Sequence, residues 1–354
     1  MHPDSWVLKR GVLAEIGKLA AGLGASGFVV VTDSTVSKLG YSRTVARALA
    51  ATGVRTHTLR VPTGELSKSL RVAQRGARRL ADWQIDREAV VVAVGGGVVT
   101  DLAGFVASVW LRGVRWIVCP TTLEGMIDAA IGGKTGLNLP EGKNLIGTFH
   151  PPTLIAVDPD VLATLPPRAM RAGLAESIKH AAVWDAAFFD WQAERAEPIL
   201  AGDADVLAEL IERNIRAKLA IVGEDLRESG GNRVLLNFGH TFGHAIEAAS
   251  GYVLMHGECV AIGMTAAVRL SQQLGLLTGS DCDRLTGLVE AFGLPVKAPS
   301  GMSVARLLEY MGRDKKRQAG QSRFVLLERI GCARVVTGVA ERDVRTAIES
   351  ILPS

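Results

Sequence analysis

The chain has 354 residues, which favours two packed domains over one core, and its 48% hydrophobic and 21% charged content is that of an ordinary globular protein. A formal net charge of +4, with the basic residues scattered, is too mild to indicate a nucleic-acid partner, and no window is an uninterrupted apolar membrane span. The opening MHPDSWVLKRG lacks the apolar region of a signal peptide, and Cys119, Cys259, Cys282 and Cys332 form no CxxC pair, so the expected setting is cytoplasmic with isolated thiols.

In chain order, GFVVVTD at Gly27–Asp33 reads as a strand, followed by a helical segment ending near Gly53. RTHTLRV at Arg55–Val61 leads into the helical LRVAQRGARRLADW. AVVVAV at Ala89–Val94 then precedes the segment DLAGFVASVWLRG and the strand RWIVCP at Arg115–Pro120. This alternation predicts βαβ units, a parallel sheet and an α/β domain. Ligands of such sheets bind beyond the carboxyl ends of the strands, where Asp33, the triple glycine at 95–97 and Thr121–Thr122 fall. One more strand-like run, TLIAVD, follows His150-Pro151-Pro152, and helical periodicity then dominates to about Phe292. A hairpin, RFVLLERIGCARVV, and a final helix end the chain. The domain boundary is placed near Pro151, giving 1–151 as the α/β domain and 152–354 as a mainly α-helical domain.

The block from Gly95 to Gly147 concentrates glycines and fixed cations. Glycine offers positive φ and lets a ligand approach the main chain closely, and cations nearby suit a ligand carrying phosphate or several oxygens. The order strand, Gly95-Gly96-Gly97-Val98-Val99-Thr100-Asp101, helix suits a phosphate at a helix N-terminus. A tight turn with Asp101 as N-cap fits that stretch equally well. Asp33 would hold a ribose hydroxyl or simply cap the next helix. GGKT at Gly132–Thr135 invites a P-loop reading, which fails because Asp128 stands where the first glycine is required.

In the second half, His240 and His244 of NFGHTFGHAIEAAS share a helical face, with Glu247 nearby. His256 opens another helical run, and Glu176 and Lys179 lie three apart on a third. Converging His and Glu side chains suit a divalent metal, with three protein ligands and an open position for chemistry, and spacing alone nominates His240 and His244 as the pair. The competing reading for any one histidine is a satisfied core residue. Lys218, on an apolar stripe, reads alone as a snorkelling surface lysine, and Asp314–Lys316 as a solvated loop.

Together, GGGVVTDLAGFVASVWLRG, PTTLEGMIDAAIGGKTGLNLPEGKNLIGTFH, AGLAESIK, LNFGHTFGHAIE, HGECVAIGM and GRDKK resemble 3-dehydroquinate synthase, a sugar-phosphate cyclase of the shikimate pathway. VTDSTV and PTGELSK lend weaker support, and the motifs run in the family's order from about Asp33 to Lys316. The resemblance implies a Rossmann-like N-terminal domain holding NAD and a helical C-terminal domain holding a divalent metal, usually zinc, with cobalt as an alternative. It implies a sugar acid phosphate substrate, 3-deoxy-D-arabino-heptulosonate 7-phosphate. That substrate undergoes transient oxidation of a ring hydroxyl, elimination of phosphate, re-reduction and aldol closure to the carbocycle, without net redox change. A homodimer is implied as well.

Carried over by position, Glu176, His240 and His256 match the metal ligands, and His244 matches instead a residue that relays the proton of the reacting hydroxyl. Asp128, Lys134, Asn144, Lys179, Lys218, Arg233 and Asn237 match the substrate pocket, with Arg112, Asn144 and one of Lys315 and Lys316 on the phosphate. Cations there would stabilise departing phosphate. Asp33, Glu65, Lys68, Gly97, Asp101, Thr121, Thr122 and Lys143 match the dinucleotide contacts, and Lys134 is counted on that side too. Glu124, His180 and the SGGNR link before Arg233 depart from the commonest family pattern; the first two would alter pocket polarity, and the third loosens the Arg233 match. The competing activities are a sibling cyclase, such as an aminodehydroquinate or epi-valiolone synthase, and a metal-dependent NAD alcohol dehydrogenase. The latter has no use for Arg112, Lys134, Asn144 and Lys179.

Overall fold

A computed structural model describes residues 6–223, 231–317 and 323–353, with the side chains of 313–317 outside that description. The chain divides into two compact units, Met1–Pro166 and Pro167–Ser354. The first contains strands β1 (Trp6–Leu8), β2 (Phe28–Asp33), β3 (Thr56–Val61), β4 (Val90–Gly95), β5 (Arg115–Pro120), β6 (Lys134–Leu139), β7 (Gly142–Phe149) and β8 (Leu154–Val157). Its helices are α1 (Val12–Ala21), α2 (Ser34–Leu39), α3 (Tyr41–Ala50), α4 (Leu70–Asp82) and α5 (Gly97–Val109).

Six strands form one parallel sheet in the order β1-β8-β5-β4-β2-β3. The inner strands β2 and β4 are buried along their valine runs, as strands covered on both faces must be, whereas the edge strand β3 alternates in exposure. The chain leaves β2 towards β3 and leaves β4 towards β5, in opposite directions along the sheet. That switch point, where sheets of this kind bind their ligands, falls at the carboxyl ends of β2 and β4, beside Asp33 and Gly95–Gly97.

An antiparallel hairpin, β6–β7, is inserted between β5 and β8. It sits tightly on α5 because Gly104 has no side chain: a Cβ there would stand 2.6 Å from Thr135 Cγ2 and 2.7 Å from Trp116 Cη2. The first unit runs past Pro151 because β8 completes the sheet between β1 and β5 and Asp158 accepts the backbone N–H of Gly11 at 2.9 Å. The observed division thus falls at Pro166–Pro167.

The second unit contains α6 (Pro167–Trp184), α7 (Ala186–Glu194), α8 (Ala196–Ala201), α9 (Ala204–Val222), α10 (His240–Ala249), α11 (His256–Gln273), α12 (Gly279–Ala291), α13 (Val304–Arg317) and α14 (Glu341–Ile351), with the hairpin β9 (Arg323–Arg329) and β10 (Cys332–Thr337). Helices α6 and α11 form its core, buried from Ala172 to Val183 and over most of Gly257–Ser271. Glycines set the spacing: a Cβ on Gly257 would lie 1.9 Å from Ala172 O, and one on Gly263 2.1 Å from Gly239 O. Backbones that meet at such range admit no side chain, so α6, α10 and α11 are locked at close approach. All four cysteines are free, and burial pushes the Cys119 thiol up to about 12, which suits an inert core thiol.

Candidate active site

In the first unit, the triple glycine closes β4 and opens α5, with Gly96 as N-cap. None of the three adopts the left-handed conformation, so positive φ is not what this turn needs. Space is: a Cβ at Gly95 would meet Val99 Cβ at 2.5 Å, and one at Gly96 would meet Thr122 Cγ2 at 2.9 Å. The bare backbone at the start of a 13-residue helix offers N–H groups and the positive end of the dipole, a fit for a dinucleotide phosphate. Thr121 is buried and donates its N–H to Gly95 O at 2.9 Å, while Thr122 Oγ1 accepts the N–H of Gly125 at 3.0 Å. Asp33 caps α2, its Oδ1 accepting from Val36 N at 2.9 Å. Asp101 is not a cap. It sits inside α5, and its Oδ2 accepts from Lys68 Nζ at 2.6 Å.

Lys68 organises a polar cluster. Its side chain is buried, and its Nζ also donates to Asn144 Oδ1 at 2.6 Å and stands 3.9 Å from Glu65 Oε1. Lys143 Nζ approaches the same Glu65 oxygen at 3.6 Å. Burial pushes the Asp101 carboxyl up, against the pull of the Lys68 ammonium, so this ion pair offsets a real desolvation cost. Asn144 is held in the left-handed region at φ 54°, and Arg112, exposed in the turn after α5, has φ 71°. Asp128 lies on a π-helical turn, Gly125–Ala129, a form often found at functional sites. Glu124, half-buried, immediately precedes that turn. Gly132 and Gly133 take φ 96° and 65°, and Lys134 then opens a strand rather than a helix, in keeping with the rejected P-loop.

In the second unit, Glu176, His240 and His256 converge from α6, α10 and α11, each offering a ligand atom within 4.8 Å of the other two. His240 Nε2 lies 3.7 Å and His256 Nε2 3.6 Å from Glu176 Oε1. Each imidazole is oriented through its other nitrogen: His240 Nδ1 reaches Phe238 O at 3.1 Å and His256 Nδ1 reaches Glu247 Oε2 at 3.4 Å. These outer contacts leave Nε2 as the donor atom on both rings. Glu176 is buried, and neither of its oxygens accepts a well-formed hydrogen bond among the described residues, although Lys179 Nζ stands against Oε2. Burial, with the Lys179, His244 and His256 charges, holds the His240 pKa well below its ordinary value, so the ring is neutral and able to ligate. A buried carboxylate short of donors beside two imidazoles that present Nε2 is a fit for a divalent cation.

His244 is exposed and stands edge-on to His240 at 5.3 Å, outside the triad. Of the pair nominated by helical spacing, only His240 falls in the cluster. Lys179, Lys218 and Arg233 are all buried. Lys218 is not a snorkelling surface lysine, because the α9 face that carries it also carries Ile211, Asn214 and Ile215 into the core. His180 is buried too, and its Nδ1 is 3.0 Å from Asn214 Oδ1; Asn214 donates to Ser177 Oγ at 2.8 Å, so the residue that departs from the family pattern is part of a polar core network. Asn237 ends the short helical turn that carries Arg233. Ser229 and Gly230 of the SGGNR link, and the side chains of Asp314, Lys315 and Lys316, lie outside the described residues.

Sequence reasoning passed over Glu247, named only as a neighbour of the histidines, as the partner of His256, and passed over Asn138 altogether. The nine-residue step from Glu247 to His256 has no helical periodicity to reveal it. Asn138 carried one signal, its place in GLNLPEGKN beside the lysine-bearing loop.

The comparisons with known proteins also divide the chain in two, at 172/173 within α6. The N-terminal domain of 3-dehydroquinate synthase matches residues 58–172 and its C-terminal domain residues 173–317. The chain is 43% identical to the 3-dehydroquinate synthase of Xylella fastidiosa, over 97% of this chain and 89% of that protein. Against the 3-dehydroquinate synthase of Gloeobacter violaceus it is 46% identical, over 94% and 91% respectively. Among solved structures, 2-epi-5-epi-valiolone synthase from Streptomyces hygroscopicus subsp. jinggangensis, with NAD+ and Zn2+ bound, superposes with a TM-score of 0.90 at 32% identity, covering 98% of this chain and 96% of that one.

Proposed function

The chain belongs to the 3-dehydroquinate synthase family, and on that premise we infer that it converts 3-deoxy-D-arabino-heptulosonate 7-phosphate to 3-dehydroquinate and inorganic phosphate. It is an NAD- and metal-dependent carbon–oxygen lyase of the shikimate pathway. The observation that carries the reading is the triad of buried Glu176 with half-buried His240 and His256 and their oriented imidazoles. When bound, NAD supplies a reversible hydride acceptor, and a divalent cation, for which zinc suits this donor set, supplies positive charge beside the reacting hydroxyl.

The residues divide the work as follows. Glu176, His240 and His256 hold the cation. His244, exposed beside His240, takes and returns the proton of the reacting hydroxyl. The glycine turn, Asp33, Glu65, Lys68, Asp101, Thr121, Thr122 and Lys143 hold the dinucleotide. Asp128, Lys134, Asn144, Lys179, Lys218, Arg233 and Asn237 orient the sugar acid. Arg112, Asn144 and one of Lys315 and Lys316 bind its phosphate and stabilise it as it leaves. Asp33 and Lys68 would serve the dinucleotide while keeping their present bonds to α2 and Asp101. We further propose that the enzyme works as a cytoplasmic homodimer. No helix of the described residues is long and apolar enough to cross a membrane.

The sibling-cyclase reading draws on the valiolone synthase superposition, but the relatives with the higher identity are dehydroquinate synthases. The test is to incubate the protein with NAD, zinc and the heptulosonate phosphate while following phosphate and NADH together. Stoichiometric phosphate with no lasting NADH is expected. Lasting NADH without phosphate would overturn the cyclase reading, and turnover of a different sugar phosphate in preference to this one would favour a sibling.

A further inference from the structure

The β6–β7 hairpin is irregular at one point. Leu137 pairs with Ile146 and Leu139 with Gly142, so Lys143, Asn144 and Leu145 of β7 stand opposite the single residue Asn138 of β6. Such a bulge frees main-chain groups from the ladder and re-aims side chains, and here it places Asn144 at φ 54°. Asn138 satisfies what the bulge releases. Its Oδ1 accepts the N–H of Asn144 at 2.9 Å, and its own N–H donates to Lys68 O at 2.7 Å. The other end of the carboxamide, Nδ2, donates to Glu65 Oε1 at 2.8 Å. The amide orientation follows from its partners, because a flip would set NH2 against an N–H and oxygen against a carboxylate.

One half-buried side chain therefore ties together the main chain of Asn144 and the carboxylate of Glu65, while its backbone holds Lys68. We propose that Asn138 is a positioning residue that couples the dinucleotide-binding groups to the substrate-binding amide of Asn144. It rests on the assignment, made above, of Glu65 and Lys68 to NAD and Asn144 to the sugar phosphate. The role demands a donor and an acceptor at one short reach. Aspartate keeps the acceptor for Asn144 but sets a second carboxylate against Glu65, and leucine removes both bonds.

The test measures NAD affinity of the metal-loaded protein by titration, and kcat and KM for the heptulosonate phosphate, in variants that melt as cooperatively as the native chain. Asn138→Asp should weaken NAD about fivefold or more while moving KM for the sugar phosphate by less than about twofold. Asn138→Leu should weaken NAD and raise KM together. Glu65→Gln restores a donor opposite the new carboxylate, so the NAD penalty of Asn138→Asp should shrink at least about threefold in that background, which a merely structural role would not do. An equal penalty in both backgrounds overturns the coupling, as does unchanged NAD affinity in Asn138→Asp. Lys68→Met separates the two levels. If it weakens NAD while the Asn138 variants are silent, only the coupling fails; if NAD affinity ignores Lys68 as well, the placement of the dinucleotide fails and the coupling with it.

Discussion

The cluster around Lys68 and the cluster around Glu176 each set charged and polar groups about one buried ionisable side chain and are built from distant parts of their own unit, yet they are finished to different degrees. Lys68 Nζ has an aspartate and an amide oxygen each at 2.6 Å, and Glu65 has Asn138 and Lys143. A ligand arriving there meets groups whose main hydrogen bonds are already made, so it adds to a formed arrangement rather than completing one. Glu176 instead has a lysine against one oxygen and two imidazole nitrogens at 3.6 and 3.7 Å from the other, with no well-formed hydrogen bond among the described residues. The ammonium answers one carboxylate oxygen, and the other is left in a dry site facing only the two imidazoles, where a second cation would complete it. The first cluster stabilises the fold by itself; the second is organised for an ion.

The largest expected effect bears on the second cluster. His240→Ala should weaken zinc well beyond the ~10–100-fold typical of outer-sphere changes, whereas His244→Ala should retain the metal and lose about 10²–10⁴-fold in turnover. Zinc titration alongside kcat would read both. Equal metal loss in the two variants would restore His244 as a ligand and break the triad.

Next in size is Lys68→Met, which strands the Asp101 carboxylate. Because the Asp101 side chain keeps 19% of its exposure, the loss should sit near the low end for buried pairs, about 3 kcal/mol by urea unfolding. A loss under ~1 kcal/mol would mean that this cluster does not hold its unit together. Gly263→Ala should cost about 1–3 kcal/mol by overpacking, since its Cβ would stand 2.1 Å from Gly239 O. It should also weaken zinc, because parting α10 from α11 separates His240 from His256; stability loss with native zinc affinity would uncouple the crossing from the metal site.

The smallest effect concerns the N-terminus of α11. Glu258 accepts the N–H of Met255 at 2.8 Å and pairs with Arg168, whose hydrogen bond chiefly holds the carboxyl below its ordinary value. A depressed carboxyl stabilises the fold above its unfolded pKa of about 4.5 and loses that contribution as pH falls through the lower folded value. With Arg168 largely exposed, Glu258→Gln should cost at most about 1 kcal/mol near pH 7 and flatten the acid limb of the stability profile. An unchanged limb would show that the pair contributes nothing there.

Much of this was legible in the residues. Valine runs announced β2 and β4 because inner strands are apolar on both faces, and the alternation of strands and helices announced the parallel sheet. The glycine turn was legible as a turn, though not in its cause, which is the crowding of Val99 and Thr122 rather than positive φ. Local pattern failed where partners lie far apart in the chain. The bulge opposite Asn138 and the π-helical turn bearing Asp128 have no local signature, and the apolar stripe that carries Lys218 does not say whether its charged end is buried, since each depends on what packs against it.

From the sequence alone came the fold class, the carboxyl-end position of Asp33, the glycine turn and Thr121–Thr122 and, through its resemblance to a family, the three residues that the structure brings together as a candidate metal site. Only the tertiary structure decided why Glu176 and His256 join His240 and His244 does not. Helical spacing relates residues on one helix, whereas these ligands sit on three, brought together by glycine-set helix crossings and aimed by Phe238 O and Glu247.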